Sequence, residues 1–511
     1  MNLFGKTTAA YAGILLGGAA MGALLLGPQF SQVAEADPIV IEAPRGAPLS
    51  FADLIDRVSP AVVSVNVRGE QVVGSDPRQD FLDRFREDFL GQPPADDDED
   101  DEDGDEPERR ETRGTGSGFF ISADGLAVTN NHVIDGATEI QLVLSDGTEL
   151  EAELVGTDPE TDLAVVRVLE TRRFPYVEFE RTDKTRVGDW VVALGNPFGL
   201  GGTATAGIVS ADGRDLGGDS PYTNFLQIDA SINRGNSGGP TFDLNGRVIG
   251  VNTQILSPSG GSVGIGFAIP SSLAADITKD LIENGEVRRG WLGVQISDLR
   301  PDIADALDIE DGQQGAIVAM VTNGSPADRA GIKRNDIIIR LNKRDIEDST
   351  NLTRLVAKLR VDSNNEFVVL RQGARRVINV KVGERPKDIN APREAFEGAE
   401  ESDDEAKENA DKVLGVALSK LDDDHREALG LNDDDKGLYI EDVERSSPFA
   451  AAVIAGFAIL EVNGRSVESA DQLSAIIETA RKANKDKVLV TVQTTRGTNF
   501  ATVDISEEED E

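Results

Sequence analysis

Residues 288–506 contain an internal repeat, which requires two structural units of the same kind. Three short matches, at offsets of 122, 122 and 121 residues, are Leu292-Gly293-Val294 with Leu414-Gly415-Val416, Ser325-Pro326 with Ser447-Pro448, and Leu341-Asn342 with Val462-Asn463. Each copy spans roughly 95 residues and mixes short strand-like runs with one or two helical segments, which is typical of one small domain. The repeat therefore predicts two related α+β domains over 288–384 and 412–506, joined by an acidic, Ala/Glu-rich linker over 385–411.

Residues 49–287 have a different pattern. Short β-type runs punctuated by glycine dominate this region, among them residues 61–67, 163–168 and 247–252. Many short strands separated by turn signals are typical of a sandwich or a pair of barrels. We therefore expect a mainly β domain before the two repeats.

One insertion, over 69–113, interrupts the β pattern. It opens with a one-sided helical stripe of Phe81, Leu82, Phe85 and Phe89, which is either core or a docking segment. It continues into residues 95–108, which hold eleven carboxylates and no basic residue. The other acidic stretches are 384–412, 421–436 and a tail at 507–511. Solvated loops and linkers account for such tracts, and a weak calcium or polycation site is the alternative.

The N-terminal 36 residues resemble a secretion signal. Lys6 precedes the uncharged apolar run Ala9–Leu26, and Ala34-Glu35-Ala36 offers a small-x-small cleavage site. The apolar run is long for a signal, so a retained membrane anchor is the alternative. In either case the working part, after a Pro/Ala-rich linker over 37–48, is expected outside the cytoplasm.

The charge and the rare residue types exclude several classes of function. The net charge of −41 repels nucleic acid and anionic lipid, so neither is expected as a main partner. The absence of cysteine excludes disulfides, thiolate metal sites and a cysteine nucleophile. With only His132 and His425 available, a multi-histidine metal site is nearly excluded, and we expect neither metal nor cofactor.

Three segments of the β-rich domain carry a candidate catalytic site. They are Thr129–Ile134 with His132, Asp158–Val165 with Asp162, and Gly235–Pro240 with Ser237. The order His, Asp, Ser is that of the double-β-barrel serine hydrolases. A serine hydroxyl needs a base to take its proton, and the base needs a carboxylate to orient it. We interpret Ser237 as nucleophile, His132 as base and Asp162 as orienting group.

Other residues near these segments are weaker candidates. Asp135 precedes Gly136 in a predicted turn and Asp158 precedes a proline in a predicted loop, whereas Asp162 leads directly into an apolar strand. His425 follows three aspartates and is expected at the surface. The glycines around Ser237 permit the tight backbone that directs the N–H groups of Gly235 and Ser237 at a developing oxyanion.

The chain resembles the HtrA (Do/Deg) family of periplasmic serine endoproteases, in the subgroup with two PDZ domains. The motifs that carry the resemblance are Thr129–His132, Thr161–Val165, Arg234–Gly239 and Gly264–Pro270. The resemblance implies a trypsin-like double β-barrel over 49–287, with 69–113 as its regulatory loop, and a PDZ fold for each repeat. It further implies an oxyanion loop of Gly235, Asn236 and Ser237, with Arg234 in the part that reorients on activation.

Substrate preference and partners also follow from the resemblance. Ile232, Leu256 and Ile265 match the S1 pocket and are all aliphatic, which implies cleavage after small aliphatic residues. Trp291-Leu292-Gly293-Val294 matches the loop that receives a peptide's terminal carboxylate, so peptide C-termini are expected at the first PDZ domain. Unfolded polypeptides are the implied substrates, and a homotrimer or a multiple of trimers is the implied assembly.

The resulting functional hypothesis is an ATP-independent periplasmic endoprotease of protein quality control that also holds clients as a chaperone. No Gly-x-x-x-x-Gly-Lys-Ser/Thr loop occurs in the sequence. The alternatives are a holdase or PDZ scaffold with minor proteolysis, and a membrane-anchored regulatory protease.

The two PDZ copies are not expected to be equivalent. In the second copy Val453 replaces a glycine that often ends a helix, and Phe457 stands where the first copy has Asp336. We predict that the first copy captures substrate C-termini, whereas the second mainly serves assembly.

Overall fold

The computed structural model describes residues 50–72, 109–182, 184–197, 202–216, 221–233, 235–257, 261–310, 312–386, 411–431, 435–495 and 497–506. Several predicted features lie outside the described residues: the signal 1–36, the linker 37–48, the phenylalanine stripe, the tract 95–108, Arg234, most of the linker 385–411, and the tail 507–511.

Two closed six-stranded barrels form the β-rich region, which confirms the prediction of a mainly β, trypsin-like domain. The first has the order β1-β2-β3-β6-β5-β4 and contains β1 (Val62–Val72), β2 (Arg109–Phe120), β3 (Leu126–Thr129), β4 (Ala137–Val143), β5 (Glu149–Asp158) and β6 (Leu163–Val168). The second has the order β10-β11-β12-β9-β8-β7 and contains β7 (Trp190–Gly195), β8 (Thr203–Arg214), β9 (Phe225–Ile228), β10 (Pro240–Phe242), β11 (Val248–Ile255) and β12 (Gly266–Pro270).

Strand β6 shows why its sequence is a continuous apolar run. Leu163 and Val165 pack into the core between the barrels, while Ala164, Val166 and Val168 pack into the interior of the first barrel. Successive side chains of a strand point to opposite faces, so both faces are buried. The residue before this strand, Asp162, consequently lies at the edge of the core between the barrels.

In the described part of this region, three α-helices accompany the barrels: α1 (Ala52–Val58), α2 (Asn131–Ile134) and α3 (Ser271–Asn284). Helix α3 buries Ala274, Ile277 and Leu281 against the core between the barrels. It ends at Gly285, whose φ of 76° lets its N–H reach the carbonyl of Leu281 at 2.9 Å. Among the described residues, no helix is both long enough and apolar enough to span a membrane.

The first repeat folds as an α+β domain. A two-stranded ladder joins its ends, β13 (Gly290–Trp291) and β20 (Gly383–Glu384). Its main sheet has the order β14-β15-β16-β18-β19 and contains β14 (Val294–Asp298), β15 (Ala316–Val321), β16 (Ile337–Leu341), β17 (Arg344–Asp345, paired with β16), β18 (Asn364–Arg371) and β19 (Ala374–Lys381). Its helices are α4 (Pro301–Ala306), α5 (Pro326–Ala330) and α6 (Ser349–Ala357).

The second repeat has a similar plan with two differences: its first strand joins the edge of the main sheet, and its described residues contain no counterpart of α5. Its sheet has the order β21-β22-β23-β24-β26-β27 and contains β21 (Asp411–Val413), β22 (Val416–Lys420), β23 (Leu438–Val443), β24 (Ala458–Val462), β25 (Arg465–Ser466, paired with β24), β26 (Lys487–Thr494) and β27 (Gly497–Asp504). Its helices are α7 (Asp423–Ala428) and α8 (Ala470–Lys482).

The two repeats share an interface. Leu489 and Phe500 of the second join an apolar cluster with residues of the first, including Ile317. At the same interface Arg334 lies 3.3 Å from carboxylate oxygens of both Asp435 and Glu461. Because this guanidinium is mostly buried, its two acidic partners balance a charge that has lost most of its water.

Candidate active site

The structure brings the three predicted catalytic segments to the cleft between the barrels. His132 lies on helix α2, directly after β3, and Asp162 immediately precedes β6, so both come from the first barrel. Ser237 lies in the connection between β9 and β10 of the second barrel. A site assembled from both barrels therefore depends on their packing against each other.

His132 and Asp162 form a closely coupled pair. The Nδ1 atom of His132 lies 2.9 Å from Oδ1 and 2.8 Å from Oδ2 of Asp162, and the backbone N–H of His132 donates to Oδ1 at 3.0 Å. The carboxylate thus contacts both the ring and the main chain of His132. This arrangement fixes the ring orientation and leaves Nε2 as the nitrogen able to act as a base.

The pKa of His132 is raised above its ordinary value of 6.5. The protein surroundings remove water and disfavour the imidazolium, but the charge and the hydrogen bond of Asp162 together outweigh this effect. The imidazole remains half exposed, with 51% of its side-chain surface accessible, so a substrate can reach it.

The backbone at Asp162 adopts an unusual conformation. Its φ is 56°, in the left-handed region that residues other than glycine seldom occupy. The carbonyl of Asp162 accepts hydrogen bonds from Asn130 Nδ2 at 2.8 Å and from the N–H of Asn131 at 3.2 Å. These bonds stabilise the turn that points the carboxylate toward His132.

Thr253, on β11, connects the two halves of the site. Its Oγ1 donates to Asp162 Oδ2 at 2.6 Å, and its carbonyl accepts a hydrogen bond from Ser237 Oγ at 3.1 Å. Among the described residues, Ser237 Oγ makes no hydrogen bond to His132. In this conformation the hydrogen bond between His132 and Asp162 is formed, but the one predicted between Ser237 and His132 is not.

The loop around Ser237 is held against the first barrel. Ser117 on β2 donates its backbone N–H to the carbonyl of Ser237 at 2.8 Å and its Oγ to the carbonyl of Gly235 at 2.5 Å. Gly235 has a φ of 97°, and a Cβ there would lie 2.4 Å from the Cβ of Pro197, so only glycine fits.

The loop offers two backbone donors at the position predicted for an oxyanion. Within the described part of the chain, the N–H groups of Gly235 and Ser237 have no acceptor. The N–H of Asn236, by contrast, donates to the carbonyl of Asn233 at 3.0 Å. Of the three residues predicted for the oxyanion loop, Gly235 and Ser237 are thus the two whose N–H groups are available to a substrate.

The three predicted S1 residues lie beside this loop. The N–H of Leu256 donates to the carbonyl of Ile265 at 3.1 Å, and both side chains are half-buried. Ile232 is buried and its Cγ1 lies close to Gly266, the neighbour of Ile265. All three side chains are aliphatic and carry no charge.

The turn before Asp162 is held by the ends of the first repeat. The guanidinium of Arg289 donates to both carboxylate oxygens of Asp158, at 2.9 and 2.6 Å, and lies 3.0 Å from Glu160. Arg289 and Asp158 expose only 8% and 4% of their side chains. Arg385 also pairs with Glu160. Asp158, the weaker alternative for the orienting group, is therefore engaged elsewhere.

Tyr222, from the loop before β9, completes this cluster. The guanidinium of Arg289 lies 4.5 Å from the centre of the tyrosine ring, and that of Arg385 lies 5.6 Å away. Burial raises the pKa of Tyr222, an effect that the nearby charge of Arg289 opposes. Through these contacts, Arg289 and Arg385 at the two ends of the first repeat bind both barrels. They do so next to the turn that precedes Asp162.

Trp291-Leu292-Gly293-Val294, the predicted carboxylate loop, joins β13 to β14. Gly293 has a φ of 80°, and within the described residues the N–H groups of Leu292 and Gly293 have no acceptor. Strand β14 is the edge of its sheet, and Val294 and Ile296 on it are only half-buried. An open edge beside half-buried apolar side chains can accept an extended peptide as a further strand.

Sequence reasoning missed Asn130, Thr253 and Arg289. Asn130 stands within the motif Thr129–His132, so its position beside a catalytic candidate was a usable signal. Thr253 and Arg289 lie 91 and 127 residues from Asp162 in the chain, and nothing local marks them. The predicted loop residue Arg234 lies outside the described residues.

Comparisons with known proteins agree with this architecture. A trypsin-like peptidase domain matches residues 116–251, and PDZ domains match residues 290–382 and 405–493. A probable periplasmic serine endoprotease DegP-like of Rhizobium meliloti (strain 1021) is 42% identical over 497 residues, covering 92% of this chain and 94% of that protein.

A relative of the same description from Brucella melitensis biotype 1 is 41% identical over 495 residues, covering 93% of each chain. Among solved structures, the HtrA-type protease AlgW with decapeptide is 38% identical, with a TM-score of 0.54. It matches 66% of this chain and 99% of its own.

Proposed function

The chain belongs to the family of DegP-like, HtrA-type periplasmic serine endoproteases, and we propose that it degrades unfolded proteins in the periplasm through Ser237, His132 and Asp162. No nucleotide-binding loop of the P-loop type occurs in its sequence, so unfolding is not driven by ATP. Substrates then have to arrive unfolded and bind in an extended form.

The observation that carries this assignment is the pairing of His132 with Asp162. A carboxylate 2.8 Å from Nδ1 stabilises the imidazolium that forms when Nε2 accepts a proton. For the reaction, the Ser237 hydroxyl leaves the carbonyl of Thr253 and donates to Nε2 of His132. Its Oγ attacks the scissile carbonyl while His132 takes the proton, and His132 returns that proton to the amine as the C–N bond breaks. Water, deprotonated by His132, then attacks the ester, and the proton returns to Ser237 Oγ as the acid product leaves.

The N–H groups of Gly235 and Ser237 supply the electrostatic part of the mechanism. The attacked carbonyl oxygen becomes negatively charged in the tetrahedral intermediate, and two fixed backbone donors stabilise that charge more than they stabilise the neutral substrate. Because neither donor has a partner within the described residues, no existing bond has to break before they bind the oxyanion.

The aliphatic pocket accounts for substrate preference. Ile232, Leu256 and Ile265 offer no carboxylate to pair with Lys or Arg, so small aliphatic P1 residues such as Val or Ala are preferred. A scan of peptides that differ only at P1 measures this preference. Preference for a basic or large aromatic P1 residue contradicts the pocket assignment.

The first PDZ domain supplies a second contact with the substrate. The carboxylate of a peptide C-terminus accepts hydrogen bonds from the N–H groups of Leu292 and Gly293, and the peptide extends the sheet along β14. Tethering a chain at its end raises its local concentration at the protease cleft.

Three further properties rest on the resemblance of the sequence to the family: export through the N-terminal signal, assembly as trimers or multiples of trimers, and holding of clients as a chaperone. Cell fractionation tests export, sedimentation tests assembly, and aggregation assays with Ser237→Ala test holding. The holdase alternative is favoured instead if Ser237→Ala suppresses aggregation fully and the wild type cleaves only weakly.

A digest of β-casein, an unfolded protein, tests the central assignment. The wild-type chain and Ser237→Ala are compared in a single-turnover assay, and the product termini are sequenced. We expect cleavage after aliphatic residues by the wild type and no products from the variant. Products from Ser237→Ala within a few-fold of the wild type contradict the triad.

A further inference from the structure

The peptide-accepting edge of the second PDZ domain is already paired. In the first domain, β13 turns away from β14 and pairs with β20. In the second, the equivalent strand β21 folds back on β22 as an antiparallel hairpin, in which Val413 pairs with Val416 and Asp411 with Leu418. Strand β22 pairs with β23 on one side, so only its other edge could accept a peptide. Strand β21 occupies that edge.

The turn between β21 and β22 explains the difference. Leu414 and Gly415 have φ values of 46° and 79°, both left-handed, as the central residues of a type I′ hairpin turn require. In the first domain only Gly293 has positive φ at the equivalent position. A loop that can receive a carboxylate in one domain is therefore a closed hairpin turn in the other.

Side-chain hydrogen bonds hold the closed turn. Ser447 Oγ donates to the carbonyl of Leu414 at 2.7 Å, whereas the carbonyl of Leu292 accepts the backbone N–H of Ala327 at 2.9 Å. Lys412 on β21 lies 3.3 Å from a carboxylate oxygen of Glu444, whose own N–H donates to the carbonyl of Gly415 at 2.8 Å.

Strand β22 of the second domain is also more deeply buried than its counterpart β14 in the first. Val294 and Ile296 of β14 are half-buried, but their counterparts Val416 and Leu418 of β22 expose 0% and 2% of their surface. Val413 of β21 is itself buried and belongs to the same apolar cluster as these residues and Ile477 of α8. Strand β21 packs beside α8. The counterpart of α8 in the first domain is α6, which packs beside β13 and β14.

We propose that β21 is an internal ligand of the second PDZ domain, so that each chain captures one peptide C-terminus and the second groove stays closed until β21 leaves. The proposal deepens the function given above, because it rests on peptide capture at β14. The occupant of the second groove is a segment of the chain itself, with Val413 in the place of a peptide's terminal apolar residue.

Full-length chain carrying Ser237→Ala, which cannot digest the probe, is titrated with a decapeptide that ends in valine with a free carboxylate. The same peptide with an amidated C-terminus is the control. Calorimetry is expected to give one peptide per chain, and hydrogen exchange to show new protection over 294–296 and none over 416–418. New protection over 416–418 overturns the proposal. If the peptide gives no new protection over 294–296, peptide capture by the first domain is contradicted instead.

Two substitutions of one residue then open or preserve the hairpin. A charged side chain at position 413 cannot remain in the apolar cluster, so Val413→Lys is expected to release β21. It keeps the N–H groups of Leu414 and Gly415 that a carboxylate needs, so the stoichiometry is expected to rise to two. Val413→Ile stays apolar, is the matched control and is expected to keep one site. A Val413→Lys chain that exposes the amides of 416–418 and still binds one peptide overturns the proposal.

If exchange shows that Val413→Lys unfolds the whole second domain, Leu414→Val replaces it. A β-branched residue disfavours the positive φ of Leu414 and keeps the N–H of that position. The expected stoichiometry is again two, and one site with exposed 416–418 amides contradicts the proposal.

Discussion

The two halves of the active site differ in how completely they are assembled. On the side of the first barrel, His132 and Asp162 share three short contacts, and the carbonyl of Asp162 is held by Asn130 and Asn131. On the side of the second barrel, the Ser237 hydroxyl donates to Thr253 instead of to the base. The base is thus positioned without substrate, whereas the nucleophile has to change its partner.

This difference shows where control of activity can act. Contacts that stabilise the His132 side reach from the turn at Asp158 to Arg289 and Arg385, at the two ends of the first PDZ domain. On the Ser237 side, the hydroxyl has to exchange the carbonyl of Thr253 for Nε2 of His132, and the loop has to keep its backbone donors available. The two halves can therefore be perturbed separately.

The largest effect is expected when either half loses its reactive group. Ser237→Ala and His132→Ala should each lower kcat/KM on β-casein by about 10⁴-fold or more, because triad members act as a unit. The double variant should be no worse than either single one. Single-turnover cleavage measures this, and additive losses would show that the two residues act independently.

A smaller effect is expected from the contact between the protease and the first PDZ domain. Arg289→Ala leaves the buried carboxylate of Asp158 without its partner, which costs about 3–5 kcal/mol. The loosened turn should misplace Asp162 and lower kcat/KM roughly 10- to 100-fold. Thermal unfolding and casein cleavage are the measurements.

Arg288→Ala is the matched control for that substitution. Arg288 pairs with Glu384 at the surface, with 54% and 40% of the two side chains exposed, so its loss should cost no more than about 1 kcal/mol. Equal effects of the two substitutions would mean that Arg289 does not position the turn.

Thr253 tests the connection between the halves. Thr253→Val removes the hydroxyl that donates to Asp162 and keeps both the side-chain shape and the carbonyl that accepts from Ser237. One hydrogen bond to a charged group typically contributes ~1.5 kcal/mol or more, so kcat should fall by about tenfold. Thr253→Ser retains the hydroxyl and should stay near wild type, and a loss in Thr253→Ser as large as that in Thr253→Val would contradict a role for the hydroxyl.

Much of this architecture could be predicted from the sequence because its signals are local. Runs such as Leu163–Val168 indicate strands buried on both faces, and the repeat of Leu292-Gly293-Val294 indicates two like domains. The family, the fold class and the activity as a serine endopeptidase are confirmed. The assignment of individual site residues stays a prediction that the experiments above test.

The features that could not be predicted depend on distant parts of the chain. Arg289 reaches Asp158 only because the first PDZ domain packs against the first barrel. Leu414-Gly415 and Leu292-Gly293 are the same dipeptide, yet only the former makes a hairpin turn. The same dipeptide adopts different backbone conformations because β13 pairs with a strand at the far end of its domain, whereas β21 pairs with the strand that directly follows it.

The smallest expected effect concerns the titration of His132, and the composition makes it measurable. The chain has two histidines, so ¹³C-histidine labelling gives two imidazole signals, and His425→Gln assigns them. His132 should titrate above 6.5, because Asp162 stabilises its charged form more than desolvation opposes it. Since the base must be neutral, kcat/KM should fall as pH drops through that same midpoint. Asp162→Asn removes the stabilising charge and should move the His132 midpoint down. An unmoved His132 signal would mean that Asp162 does not stabilise the imidazolium, and the first-barrel half of the site would lose its distinguishing feature.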